Sequence, residues 1–287
     1  MTTKEERKQA IIDIFNRIAP SSTTLNSVTA SCAPLPGPEV VYKQLVSNNV
    51  VLTLTTDQEF SSDLYVQGTT QPPIGWETCF NKAGPSLWEI WGNLKDKDNY
   101  LPRPEDVFRA FRMIRPEEIK VVIFGQDPYH QVINGNPRAT GLAFSQHRWD
   151  GVSVSLNNIY KEIKNSYPDF VIPKHGDLSD WCKQGVMLLN TCLTVTQDKA
   201  GSHGKIWFGF INLVIQYITE KSPNTVFVMW GNSAQKLSEM ISTKNLQLTA
   251  AHPSGFSAHR GFFGCDFARK INDYLVSKNI TPINWQI

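Results

Sequence analysis

The chain has 287 residues, of which 41% are hydrophobic and 19% are charged, a composition typical of a globular protein with a true core. This length fits one large domain or a medium domain with an extension. The formal net charge of +2 excludes a protein that binds nucleic acid over a whole basic face, so any such contact has to be local. The five cysteines are scattered and form no CxxC pair, which argues against a disulfide framework or a metal cluster and favours a reducing compartment.

The N-terminal region differs from the rest of the chain. Glu5, Glu6 and Asp13 argue against a mitochondrial presequence, and the apolar core of a signal peptide is missing. We therefore expect an intracellular protein, not a secreted one, in a compartment that holds DNA if DNA is its partner. No apolar stretch is long enough to span a bilayer, so no membrane partner is expected.

Residues 4–18 predict a short amphipathic helix. The following stretch to about Pro73 is polar, and only Val50–Thr56 within it resembles a strand. We interpret residues 1–75 as an extension that is partly ordered at best, attached to a compact domain of residues 76–287.

The compact domain contains four short apolar runs, which are Ile119–Phe124, Val186–Asn190, Thr225–Trp230 and Leu246–Ala251. Continuous apolar runs of this length favour strands that are buried on both faces of a sheet. Helical patterns lie beside them, at Pro104–Met113, Ser155–Lys164, Leu178–Lys183, Ile206–Glu220, Ser233–Ile241 and Gly264–Val276. This alternation predicts an α/β, doubly wound fold with a parallel sheet.

Polar or loop-forming residues follow each predicted strand, at Gly125–His130, Asn190, Gly231–Ser233 and His252–Ser257. In open parallel sheets ligands bind beyond the carboxyl ends of the strands. The sequence therefore predicts that these four strand ends converge on one site.

The first loop places Asp127 and Tyr129 on either side of Pro128, and the fixed φ of proline stiffens this turn. A carboxylate at a strand end can activate a water or stabilise a nearby cation. A lone Asp in this position more often only satisfies backbone N–H groups. The other functional side chains in the same turn favour a catalytic role.

Two other features have both a structural and a functional interpretation. Asn190 ends an apolar strand, and its amide either bonds neighbouring loops or reads an edge of a ligand that offers one acceptor and one donor. Phe256, between Gly255 and Ser257, either packs on its own domain or inserts as a wedge between base steps.

The loops Gly125–His130 and His252–Ser257 resemble the two signature loops of family 1 uracil-DNA glycosylases. Further segments match that family in order and spacing, which are Gly141–Ser145, His175–Ser179, Leu188–Asn190 and Arg260–Cys265. The resemblance covers roughly residues 76–287. It implies a three-layer fold with a central four-stranded parallel sheet flanked by helices, and hydrolysis of the bond between uracil and deoxyribose in DNA without a cofactor or metal.

The resemblance implies that Asp127 orients and deprotonates the attacking water, and that His252 hydrogen-bonds uracil O2 as the base departs. It implies a base-binding pocket formed by the backbone of Gln126, by Tyr129 at the C5 edge, by the stacking ring of Phe144 and by Asn190 at N3 and O4. It also implies a group of DNA contacts, which are His130, Ser155, Asn232, Ser254, Phe256, Ser257 and Arg260.

The sequence departs from the family at the DNA-facing loops. Gly255 and Phe256 stand where the family has Pro and Leu, the proline-rich loop before Ser155 is replaced by residues 151–154 (GVSV), and Asn232 replaces the usual Ser. These changes and the extension leave open a DNA-anchoring accessory protein of a polymerase as an alternative. A hydrolase of free nucleosides or other small molecules is a further alternative, although it would not need Phe256 or the serine-bearing loops. Replication or repair proteins are expected to bind through the extension.

Overall fold

The structure, a computed structural model, describes residues 45–47, 50–52, 72–94 and 99–287. The chain divides into two units between Pro72 and Pro73. In the first unit Leu45–Ser47 (β1) pairs antiparallel with Val50–Leu52 (β2). The strand predicted over Val50–Thr56 is thus observed over its first three residues. Its remainder and the helix predicted over residues 4–18 lie outside the described residues, and the extension of residues 1–75 stays a prediction.

The strands of the second unit are Tyr100–Leu101 (β3), Val121–Gly125 (β4), Val132–Ile133 (β5), Asn136–Pro137 (β6), Val186–Asn190 (β7), Val195–Thr196 (β8), Val226–Trp230 (β9) and Leu246–Ala250 (β10). Its α-helices are Glu77–Asn93 (α1), Arg109–Arg112 (α2), Val154–Ser166 (α3), Ser179–Cys182 (α4), Phe208–Lys221 (α5), Asn232–Gln235 (α6) and Phe267–Ser277 (α7). Within the described residues, no helix combines the length and the apolar character needed to cross a bilayer.

The four predicted apolar runs form one parallel sheet in the order β10-β9-β4-β7. Gly125 at the end of β4 lies opposite Asn190 at the end of β7, and Trp230 lies opposite Ala250. The predicted α/β, doubly wound fold is confirmed. Because all four strands run the same way, their carboxyl ends lie along one edge of the sheet.

Burial is not equal among the four strands. Every residue of β4, β7 and β9 is buried, whereas β10 is partly exposed along its length. The prediction of burial on both faces is therefore wrong for β10. The physical reason is its alternation, since Gln247 and Thr249 place polar groups between its apolar residues. Edge position alone is not sufficient, because β7 at the opposite edge is buried throughout.

The 17-residue helix α1 is absent from the sequence predictions because Gly84 and Pro85 read as a helix break. Pro85 is exposed, while Phe80, Ala83, Leu87 and Ile90 form a buried stripe at helical spacing. The ring of Phe80 contacts the rings of three other aromatic residues edge-on, which are Phe108, Phe111 and Phe210. Tertiary packing of this stripe outweighs the local cost of the proline.

Three predicted helices differ in extent. The one expected over Pro104–Met113 is divided into a 3-10 helix at Pro104–Asp106 and the short helix α2. The one expected over Ser233–Ile241 is divided into α6 and a short 3-10 helix at Ser238–Met240. The one expected from Gly264 begins only at Phe267, because Asp266 adopts a left-handed backbone with φ +53°. The buried carboxylate of Glu162 accepts the N–H groups of Gly264 (2.9 Å) and Asp266 (2.8 Å) and stabilises this start.

Candidate active site

The loops after β4 and β7 are joined by backbone hydrogen bonds. Thr191 donates its N–H to the Gly125 carbonyl (2.9 Å) and its Oγ1–H to the Gln126 carbonyl (2.8 Å), which also accepts the N–H of Cys192 (3.0 Å). The Gln126 side chain is exposed. The Gln126 backbone therefore joins the two loops, and its contact with a base stays a prediction.

Asp127 lies two residues beyond β4 and is partly buried. Its Oδ2 accepts the backbone N–H of Gly201 at 2.6 Å. This bond orients the carboxylate through Oδ2, and Oδ1 takes no part in it. Gly201, at φ +73°, belongs to a loop that the sequence analysis did not include in the site.

His252 follows β10, and its ring has a defined hydrogen-bonding state. Its Nδ1 lies 3.1 Å from the backbone N of Ser254 and accepts that N–H. In the neutral ring the proton therefore resides on Nε2, which can donate to a ligand. Burial lowers the pKa of His252 below its ordinary value, and the nearby negative charge of Asp127 opposes this shift. This electrostatic interaction indicates that the side chains of Asp127 and His252 lie near each other.

An aromatic ring stands beside this pair. The centroid of Phe144 is 6.0 Å from that of His252 and 5.5 Å from that of Trp230, which it meets edge-on. Phe144 has a left-handed backbone, φ +62°, which is costly for a bulky residue and common at ligand sites. Phe144 is partly exposed, so it is accessible to a ligand.

Asn190 is only 6% exposed and lies against Gly125. A Cβ on Gly125 would stand 2.2 Å from Asn190 Oδ1, so the close approach requires glycine. Among the described residues no hydrogen bond occupies the side-chain amide of Asn190. Its amide atoms are not among the buried polar atoms that lack a partner, so they still reach the surface. An amide that is accessible and has no hydrogen bond within the protein supports the interpretation that Asn190 binds a ligand.

Tyr129 lies at the same edge and links two loops. Its hydroxyl donates to the Phe144 carbonyl (3.3 Å) and lies 2.7 Å from Ser153 Oγ. Burial raises the pKa of Tyr129 to about 12, so the phenol stays protonated near neutral pH. The contact with the Phe144 backbone couples the positions of the two rings.

The loop after β10 is held by hydroxyl and amide groups. Ser257 Oγ–H donates to the His252 carbonyl (2.8 Å), the Ser254 and Ser257 hydroxyls lie 2.7 Å apart, and Asn158 Nδ2 donates to the Pro253 carbonyl (2.9 Å). Beyond this framework Phe256 is 89% exposed. Packing on its own domain is therefore wrong for Phe256, and the wedge interpretation stays open.

The other predicted DNA contacts are more dispersed. Ser155 is partly exposed near the start of α3, Asn232 is exposed at the first position of α6, and Arg260 is exposed in a 3-10 helix. His130 Nε2 lies 3.0 Å from Gln131 Nε2, and its buried Nδ1 has no hydrogen-bond partner in the described part of the chain. Their roles toward DNA stay predictions.

An acid, a neutral imidazole with a donor, an aromatic ring and an amide without a hydrogen bond among the described residues thus lie at the carboxyl edge of a parallel sheet. This arrangement defines the class of α/β proteins that bind a planar polar ligand and can polarise a bond within it.

The comparison with known proteins then specifies the family. Residues 111–276 match the Uracil DNA glycosylase superfamily. The uracil-DNA glycosylase of Idiomarina loihiensis is 45% identical over 73% of this chain and 99% of its own length, and that of Actinobacillus succinogenes is 47% identical over 65% and 83%. The crystal structure of mimivirus uracil-DNA glycosylase superposes with a TM-score of 0.69 at 30% identity, over 74% of this chain and 86% of that one. The chain belongs to the uracil DNA glycosylase superfamily.

Proposed function

We propose that this protein hydrolyses the N-glycosidic bond between uracil and deoxyribose in DNA and leaves an abasic site. The relatives that bear this name share 45% and 47% identity with the chain over most of their length. The observation that carries the proposal is the oriented pair of Asp127, held by Gly201, and His252, whose Nδ1 is occupied by Ser254.

The chemistry begins with an extruded base, because the scissile bond cannot be reached inside a duplex. Rotating the nucleotide out costs a few kcal/mol of unstacking and unpairing. In the site, the ring of Phe144 would stack on the uracil and Asn190 would pair with its N3–H and O4. The exposed ring surface and the unoccupied amide are suited to these two contacts.

Bond cleavage separates charge, and the two catalytic side chains oppose that separation. As the bond from C1′ to N1 breaks, positive charge grows on the sugar and negative charge on uracil O2. The Asp127 carboxylate stabilises the sugar cation and accepts a proton from the water that bonds to C1′, while His252 Nε2–H donates to O2. Because Nδ1 accepts from Ser254, neutral His252 presents its donor to the base without having to be charged.

The first test is replacement of Asp127 by Asn in a uracil-excision assay on an oligonucleotide with one uracil. The amide oxygen of Asn can still accept the Gly201 N–H, so the loop is retained while the charge and the base are lost. We expect single-turnover excision to fall about 10²- to 10⁴-fold, with DNA affinity nearly unchanged.

Asp198→Asn is the matched control. Asp198 is exposed, follows β8 by two residues and has φ +58°, a conformation that Asn tolerates. Its activity should equal that of the wild type. Full activity in Asp127→Asn would remove Asp127 from the mechanism, and a wild-type protein that releases no uracil would refute the proposed function.

The exposed Phe256 supports a role in opening duplex DNA. An apolar side chain inserted between base steps offsets part of the unstacking cost. We expect Phe256→Ala to reduce excision from duplex DNA more than from single strands, measured on the same sequence in both forms. Val276→Ala, which truncates an exposed apolar side chain on α7, is the control. An equal loss on both substrates would argue against the wedge.

Partners and compartment also remain proposals. We infer a reducing intracellular compartment that contains DNA, such as a nucleus or a viral replication site, and replication or repair proteins that bind the N-terminal extension. Support for the compartment comes from Cys79, Cys182, Cys192 and Cys265, which are all free thiols. Proximity labelling in cells with and without residues 1–72 would test both.

A further inference from the structure

Ser153 connects the base-binding pocket to a second group of polar side chains. Its Oγ lies 2.7 Å from the Tyr129 hydroxyl and accepts the N–H of Leu156 (3.3 Å) as the N-cap of α3. Its backbone N–H donates to Gln146 Oε1 at 2.6 Å. This serine stands in the loop where the family carries prolines, which offer neither a hydroxyl nor an N–H.

The chain of contacts continues from Gln146 to a partly buried ion pair. Gln146 is 1% exposed, and its Nε2 donates to Asp150 Oδ2 at 2.9 Å. Arg138 donates to both carboxylate oxygens of Asp150, from Nε at 2.7 Å and from Nη2 at 3.0 Å. The Asp150 side chain is 2% exposed and the Arg138 side chain 24%, so the carboxylate is shielded from water, the guanidinium is partly exposed, and the bidentate geometry is restrictive.

The ion pair in turn contacts the ring of Tyr129. The guanidinium carbon of Arg138 lies 5.8 Å from the centre of the Tyr129 ring, within the range of a cation–π contact. Tyr129 is therefore held at its hydroxyl by Ser153 and at its ring by Arg138. We call Arg138, Gln146, Asp150 and Ser153 the Tyr129 support network.

The network also reaches the stacking ring, because the Tyr129 hydroxyl donates to the carbonyl of Phe144. Phe144 adopts its left-handed backbone at this point. The same hydrogen bonds thus position two rings. Tyr129 is the ring proposed to face the C5 edge of the base, and Phe144 is the ring proposed to face its plane.

We propose that the Tyr129 support network is a specificity-determining element, in which Ser153 and Arg138 act as positioning residues that hold Tyr129 against the C5 edge and so exclude bases with a C5 substituent. The inference rests on the proposed function, since it assigns the discrimination made by that same pocket. Uracil and thymine differ only by the C5 methyl, and one methyl group in a close-fitting pocket corresponds to about 10- to 200-fold in kcat/KM.

The test measures kcat/KM on oligonucleotides with a single uracil, 5-fluorouracil, 5-bromouracil or thymine in the same sequence. The readout is the preference for uracil over 5-bromouracil. In Ser153→Ala and Arg138→Lys we expect this preference to fall about 10-fold or more relative to the wild type. Lysine keeps the charge of Arg138 but cannot form the bidentate bond. Ser153→Thr, which keeps the hydroxyl and the helix cap, should restore the preference.

Arg148→Lys is the matched control, because Arg148 forms an exposed ion pair with Asp177 (3.3 Å) outside the network. Its preference should equal that of the wild type. A merely structural role of the network would lower the rates on all four bases by the same factor. An unchanged preference for uracil in Arg138→Lys overturns the proposal, even where Ser153→Ala fails to fold. A wild-type protein without uracil release would instead refute the proposed function, so the two failures are distinguishable.

Discussion

At the scale of single residues, the site depends on which atoms already have partners. His252 Nδ1 and Asp127 Oδ2 are occupied by backbone N–H groups, whereas the amide of Asn190 has no hydrogen bond among the described residues. Occupied atoms fix orientation, and unoccupied atoms are left for substrate. This division of roles is what distinguishes a preorganised site from a polar turn.

The state of His252 leads to a prediction on pH. Its pKa in the folded protein lies below the ordinary value of 6.5 because of burial. The unfolded chain therefore binds the proton more readily, so the contribution of His252 to stability is fully present above pH 6.5 and is lost as the pH falls through the lower, folded-state pKa. We expect the difference in unfolding free energy between wild type and His252→Gln to shrink from pH 7.5 to pH 5, as measured by urea denaturation.

The rate of uracil excision should also fall as the pH is lowered. Protonation of Nδ1 would set two donors, His252 and the Ser254 N–H, against each other, so we expect single-turnover rates to fall in acid. Coincident pH profiles of stability for the wild type and His252→Gln would contradict a lowered pKa for His252.

At the scale of elements, helix α7 shows how a buried charge can set where a helix begins. Glu162 on α3 is 1% exposed and accepts two backbone N–H groups just before α7. The helix then places Phe267 5.0 Å from Trp230, the ring that contacts Phe144. The start of α7 is therefore linked through packed rings to the wall of the site.

We expect Glu162→Ala to destabilise the protein by about 2–4 kcal/mol, because two partly buried N–H groups lose their acceptor. Urea denaturation measures this value. The control is Glu239→Ala, a change at an exposed carboxylate, which should stay within about 0.5 kcal/mol of the wild type. Equal stabilities of the two variants would show that the Glu162 contacts contribute nothing.

Comparison of the predicted and observed elements shows which of them a sequence pattern can predict. The strands β4, β7 and β9 were predicted almost to their ends, because continuous apolar runs of five or six residues have few other stable placements. Helix α1 was missed, since the exposed Pro85 conceals the buried stripe on its other face. The partial exposure of β10 agrees with the alternation of Gln247 and Thr249 with apolar residues, whereas the full burial of the other edge strand, β7, depends on packing that no local pattern contains.

At the scale of the whole molecule, the second unit holds the sheet and every residue of the proposed site. Its relatives point the same way, since 73% of this chain covers 99% of the Idiomarina loihiensis protein. We expect residues 73–287, expressed alone, to excise uracil as fast as the full chain, because the core and the site lie within that unit. A folded but inactive fragment, judged by circular dichroism and excision assay, would show that residues 1–72 contribute to catalysis.

The sequence by itself determined the parallel sheet, the loops at its carboxyl edge and the choice of Asp127, Asn190 and His252 as candidate site residues. These features are local, because hydrophobic runs and the residues that follow them lie next to each other in the chain. Tertiary structure alone decided that Gly201 orients Asp127 across 74 residues, that Gly125 makes room for Asn190, and that Ser153 supports Tyr129. Such partners are brought together by packing of the folded chain, and no spacing along the sequence encodes a contact between them.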